Sequence, residues 1–230
     1  MSFIKKILGS TNQRSDIAKQ NSNSFSSLGE EELDAHLGIA RYGDFVLTDA
    51  IRPSYDLDVV PRAGYRRDKY ADPASGVQIP VLLATASREI LFDLFMTLLN
   101  TLGEEVDVVL ETSHESSGDS HKDRYRDHID LPILKSTLYD YEEMIVNDGC
   151  TGIAVLNPQM PMEIQLDEHK MLVMYGRDLE QLEEILTEFG LQRDDGMKFL
   201  TEAEHVHSST EEFQRQFESL SCLLALEEQE

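Results

Sequence analysis

Residues 77–112 constrain the chain more than any other stretch. "VQIPVLLATA" (77–86) is apolar and bounded by Gly76, which marks a buried strand, and Pro80 puts its first part at an edge or bulge. "REILFDLFMTLLNTL" (88–102) then sets Leu91, Leu94, Phe95, Leu98, Leu99 and Leu102 on one helical face. Phe92 and Met96 widen that stripe, so the helix is buried on more than one side, and Gly103 ends it. "EVDVVLET" (105–112) follows as a second apolar strand. A strand, a buried helix and a strand in succession predict a β-α-β unit with parallel strands.

The rest of the chain is read around that unit. Pro53, Pro61, Gly64, Pro73 and Gly76 make 52–76 mostly loop, with one short strand at "YDLDVV". After a polar loop, "SHESSGDSHKDRYRDHID", a helix is predicted over 131–146. "TGIAVLNP", "MEIQL" and "KMLVMYG" predict a three-strand meander. A helix over 178–189 turns Leu182, Ile185 and Leu186 inward and its glutamates outward. "MKFLTEAEHVH" is read as a strand, and Ser209 with Glu212 as a capping box opening a last helix.

The expected fold is α/β, a mixed sheet with flanking helices on both faces. The spacing of Phe92, Phe95 and Leu98–Leu99 returns at Leu179, Leu182 and Ile185–Leu186, which suggests two pseudo-repeated β-α-β-α halves over 77–148 and 150–226. Residues 1–30, rich in Ser, Asn and Gln behind "FIKKIL", are expected to be a flexible N-terminal tail to a single α/β domain over 31–230.

Charge narrows the partners. The chain carries 20 Lys and Arg against 44 Asp and Glu, a net charge of −24. Most of the excess lies in 127–230, with 6 basic and 24 acidic residues. A field of that sign repels phosphate backbones and anionic lipid, which disfavours nucleic acid as a partner and favours another protein. A homo-oligomer is compatible with the composition. Two cysteines, Cys150 and Cys222, with no CxxC pair, rule out a disulfide framework and cysteine-rich zinc sites. No apolar run is long enough for a membrane span, and a cytoplasmic location is expected.

Two motifs carry chemistry. "LETSHESSG" (110–118) and "TEAEHVHSST" (201–210) each place a glutamate three residues before a histidine at an expected strand end. On an extended strand His205 and His207 point the same way and offer two nitrogen ligands to a metal. The metal set read from the sequence is His114, His205 and His207, with Glu111, Glu168 and His169 as other sources of a third ligand. "LDEHK" (166–170) adds a carboxylate beside a histidine in a tight turn. No phosphate loop, dinucleotide fingerprint or nucleophile elbow is present, and no cofactor is indicated. Two basic clusters, Arg62, Tyr65, Arg66 and Arg67, then Arg124, Tyr125 and Arg126, have the Arg/Tyr composition of protein interfaces. The leading expectation is therefore a non-catalytic interaction or regulatory protein. The alternative is a metal-dependent, hydrolase-like enzyme using the histidine cluster.

Overall fold

The computed structural model describes residues 24–71, 78–114 and 122–228. Most of the expected N-terminal tail lies outside these residues, as do "FIKKIL" and the middle of the 113–130 loop.

The domain is mixed α/β, with six helices among the described residues and one large sheet. Its eight strands are β4 (Gly64–Ala71), β5 (Gln78–Thr85), β6 (Glu105–Thr112), β7 (Lys122–Asp130), β8 (Thr151–Leu156), β9 (Glu163–Leu166), β10 (Leu172–Tyr175) and β12 (Glu227–Glu228). Their order is β12-β7-β6-β8-β9-β10-β5-β4, and every pairing is antiparallel. The sheet is thus not mixed. β5 and β6 run in the same direction, as a crossover demands, but the meander β8-β9-β10 is inserted between them. Sequence neighbours joined by a helix are here three strands apart.

Two strands form where the residue pattern predicts loop. β4 pairs with β5 over eight residues, from Gly64↔Thr85 to Ala71↔Gln78, and β7 pairs with β6 from Glu105↔Asp130 to Thr112↔Lys122. Both lie at or next to a sheet edge, where charged side chains replace the apolar alternation that marks inner strands. The short strand expected at "YDLDVV" does not form; that stretch is turn and coil.

Helices α2 (Arg88–Leu98), α3 (Leu131–Tyr139), α4 (Glu142–Asn147), α5 (Glu180–Glu188) and α6 (Glu211–Leu223) all contribute to one core cluster. The same cluster takes Leu82, Val108, Val155, Ile164 and Leu172 from the sheet, so these five helices share one face rather than dividing between two. The helix expected over 131–146 breaks into α3 and α4 at Asp140–Tyr141. In α5, Leu182 and Leu186 are fully buried and Ile185 partly so. On the opposite face, Val81, Met171 and Val173 pack against Met197 and Phe199. The cap of α6 is Thr210, whose side chain accepts the amide of Phe213 at 3.1 Å, one residue beyond the expected Ser209.

The proposed duplication is not confirmed. The segment matching β6 does not join the large sheet. It folds as a 3-10 turn, Leu200–Glu202, followed by the three-residue strand β11 (His205–His207). That strand pairs with β3 (Ile51–Pro53) in a separate two-stranded sheet. A second small pair, β1 (Arg41–Tyr42) and β2 (Phe45–Val46), and helix α1 (Glu30–Leu37) complete the described chain. No helix among the described residues is long and apolar enough to cross a membrane.

Candidate metal centre

The site is built where β11 meets the β9–β10 turn. β11 is held in register against β3 by His205↔Pro53, Val206↔Arg52 and His207↔Ile51. β3 is fixed in turn by the buried Arg52 guanidinium, which donates to the carbonyls of Leu37 at 2.7 Å and Ile51 at 2.9 Å. Alternation along β11 sends His205 and His207 to one side.

The third ring is His169, in the turn "LDEHK". Asp167 organises that turn: one carboxylate oxygen accepts the amides of His169 at 3.0 Å and Met171 at 2.8 Å. Its other oxygen accepts Nδ1–H of the His169 ring at 3.0 Å. Lys170 completes the turn with φ of 59°, a left-handed conformation that costs a non-glycine residue about 1–2 kcal/mol. The three imidazole centroids lie 4.7 to 5.0 Å apart, and one ring nitrogen of each is within 4.8 Å of the others.

Each ring is oriented through its other nitrogen. His205 Nδ1 donates to the carbonyl of Ala203 at 2.8 Å, and His207 Nδ1 to the carbonyl of Gly149 at 2.6 Å. With Asp167 behind His169, all three Nδ1 positions are occupied and the Nε2 atoms are left to converge. This is the outer-shell pattern that fixes tautomer and ring orientation in metal-ligating histidines. Gly149 is needed for it: an added Cβ would fall on the carbonyl oxygen of Ala50 and lie 2.8 Å from that of Ser208. Only glycine lets this turn slide against β11 and reach His207.

The electrostatics are unusual. A carbonyl oxygen only accepts, so His205 and His207, when neutral, both carry their proton on Nδ1. Their Nε2 atoms then face each other as bare lone pairs at 3.1 Å. Neither ring is inclined to supply a proton between them. Burial lowers the pKa of His205 and of His207, outweighing the carbonyls that favour their charged forms. His169 differs: burial pulls it down, but the Asp167 carboxylate prevails and raises it.

A second cluster adjoins the first through Gly149. Asp148 is fully buried and accepts from His114 Nε2 at 2.7 Å, Thr151 Oγ1 at 2.5 Å and the amide of Cys150 at 3.1 Å. Burial raises its pKa, but the bonds from His114, Ser209 and Thr151 prevail and lower it. The structure therefore brings His205 and His207 together with His169, and directs His114 to Asp148. Cys150 completes this second group. Its thiol is pushed up, chiefly by burial, which keeps it protonated. Glu168 is bonded to Ser113 Oγ at 3.4 Å, and its charge acts on all three clustered rings. Glu111 sits on β6.

The residues read as interaction loops lie on β4, on β7 and just ahead of β4. Arg62 pairs with Asp194 at 2.5 Å, and Arg67 with Glu183 of α5 at 2.6 Å. Arg66 reaches Glu202 at 3.0 Å and the Met197 carbonyl at 2.7 Å, and lies over the Phe199 ring. Arg124 grips Glu218 of α6 through two bonds of 2.8 Å, and Arg126 donates to the Leu224 carbonyl at 2.7 Å. Tyr65 is buried in the core, and Tyr125 donates to Asp123 at 2.7 Å. These arginines tie sheet strands to the chain's own acidic helices and loops.

Fold and site together define a class: an antiparallel α/β domain whose small β3–β11 sheet and β9–β10 turn present three histidines to one point. Compared with protein-family models, curated proteins and solved structures, the chain matches none.

Proposed function

We propose that the protein is a metal-dependent, hydrolase-like enzyme with a zinc-class ion held by His169, His205 and His207. One observation carries the reading: the Nε2 atoms of His205 and His207, each ring held through Nδ1 on a carbonyl, lie 3.1 Å apart. With both rings neutral that contact is repulsive, and a cation held between them removes the repulsion. Zinc–nitrogen bonds of about 2.0–2.1 Å in a tetrahedron set the nitrogens about 3.3 Å apart, which the His205–His207 distance already approaches. Three protein nitrogens leave a fourth position open, the arrangement of catalytic rather than structural zinc sites.

The roles divide as follows. When bound, the ion supplies a water acidified to a pKa of about 7 and a Lewis acid for a carbonyl or similar oxygen. Asp167 and the carbonyls of Ala203 and Gly149 keep the three rings in the ligating tautomer. Glu168, whose charge acts on all three rings, would take a proton. The interaction reading rests on arginines engaged within the chain, so the histidines have the stronger support.

Elemental analysis of purified protein tests this. About one zinc or similar transition metal per chain is expected, lost in His207→Ala, with metal-dependent cleavage of an activated ester such as p-nitrophenyl acetate. Absence of metal after incubation with zinc, or binding unchanged by His207→Ala, would overturn it.

A further inference from the structure

A narrow cavity of about 30 Å³ lies beside the histidines. Its walls are largely apolar, from Phe45, Leu47, Ile51, Leu91 and Met171, and His169 forms part of them. Two polar groups in its lining lack full partners. Thr48 is buried, and its Oγ1 makes no hydrogen bond among the described residues. Lys170 is also buried, and its Nζ makes one bond, to the Thr151 carbonyl at 2.7 Å. An ammonium has three N–H donors and even a neutral amine has two, so at least one N–H has no partner among the described residues. Buried polar groups are nearly always satisfied, and a native exception calls for an explanation such as a missing water or ligand.

An apolar slot with a few unspent polar groups is the usual make-up of a small-molecule site. Here Thr48 and Lys170 both line one cavity, and Lys170 follows His169 directly in the chain. We infer that this slot is the ligand pocket of the histidine centre, and that it takes a short acyl group whose carbonyl oxygen is bound by Lys170 and Thr48.

The inference rests on the metal reading for its chemistry but not for its geometry. The size sets the class. By the measure in which a single water needs about 10–15 Å³, this slot accepts only one or two heavy atoms beyond the oxygen. Acetyl esters or amides fit, and longer acyl chains do not. A neutral carbonyl suits the site better than a carboxylate, because the charges of Asp148, Asp167 and Glu168 already act on Lys170. Lys170 would hold and polarise the oxygen, while the chain or methyl end sits among Leu47, Ile51 and Met171.

The test uses methyl-labelled full-length protein titrated with N-methylacetamide, then with the butanoyl and hexanoyl amides, with and without zinc. The Met171 methyl signal should shift saturably with N-methylacetamide and not with the hexanoyl amide. Thr48→Val, which keeps the shape and removes the hydroxyl, should weaken binding about tenfold. Lys170→Met should weaken it at least as much, and if that variant does not fold, Thr48→Val decides. Zinc content is measured in the same samples. One zinc per chain without a saturable shift at Met171 overturns the pocket and leaves the metal centre. A saturable, Thr48-dependent shift in protein that binds no zinc supports the pocket and overturns the metal centre. Equal binding of all chain lengths, or binding indifferent to Thr48→Val, sinks the inference.

Discussion

"ETSH" and "EAEH" are alike in letters and opposite in use. Glu111 and His114 stand at the end of β6, a central strand of the large sheet. Glu202 and His205 stand on a 3-10 turn and a three-residue strand outside that sheet. His114 is spent in the fold: its Nε2 is bonded to a fully buried carboxylate and its ring lies against Phe217. His205 donates through Nδ1 to the Ala203 carbonyl, the Leu200 backbone also favours its charged form, and its Nε2 faces another imidazole. A histidine whose partner is an acid is electrically complete. One whose partner is a second lone pair still lacks a cation.

Removing a partner should separate the two clusters most sharply. Asp148→Ala strips His114, Thr151 and the Cys150 amide of their common acceptor at a site with no solvent access. A loss of about 3–5 kcal/mol in urea titration is expected, as for other buried pairs broken on one side. His205→Ala and His207→Ala should cost the metal-free protein under about 1 kcal/mol, because each also removes a lone-pair repulsion. If the His207 variant were as destabilised as the Asp148 variant, both clusters would be structural and the contrast would fail.

The reverse ranking should hold for metal. His207→Ala or His169→Ala should weaken zinc binding about 100-fold or more, some 2.7 kcal/mol, in competition with a chelating dye. His114→Phe should leave it within a few fold. Next in size is Asp167→Asn, which keeps the turn but removes the charge behind His169. A supporting carboxylate is worth about 10–100-fold in affinity, and the variant should fall in that range with ring geometry kept. A larger loss from His114→Phe than from Asp167→Asn would mean that the ion sits in the other cluster.

The reach of the sequence follows the same division. The stripe of α2, the meander β8-β9-β10 and the buried Leu182 and Leu186 are all written in local periodicity. Sheet order is not. β5 and β6 read as partners because a helix joins them, and nothing within 77–112 says that three later strands will slip between. β4 and β7 read as loops because Arg66, Arg67, Arg124 and Arg126 fill positions that an inner strand would give to apolar groups. For the site, His205 and His207 were visible as an alternating pair, and His169 only as one of several third ligands. The likeness of the two stretches pointed to His114 instead, although its ring turns to Asp148. Thr48 and Lys170 carried no sequence signal, since an unspent hydrogen bond is a property of surroundings alone.

The smallest effect is the most direct check on the carrying observation. In metal-free protein, burial lowers His205 and His207, while Asp167 outweighs burial and raises His169. As pH rises, His169 should therefore be the last of the three to lose its proton. The stability consequences differ in sign. For His205 and His207 the folded pKa lies below the unfolded value of about 6.5, so the unfolded chain binds more protons beneath it and their contribution is lost as pH falls. The His169 contribution is present below about 6.5 and is lost as pH rises through its folded pKa. Nitrogen-15 shifts of the rings resolve both order and tautomer. At pH 7 His205 and His207 should be neutral with the proton on Nδ1, and His169 partly imidazolium. An Nε2–H tautomer or a charged ring at either strand histidine would place a proton in the 3.1 Å gap. The repulsion that calls for a metal would then vanish, and the two histidine clusters would be equally complete without one.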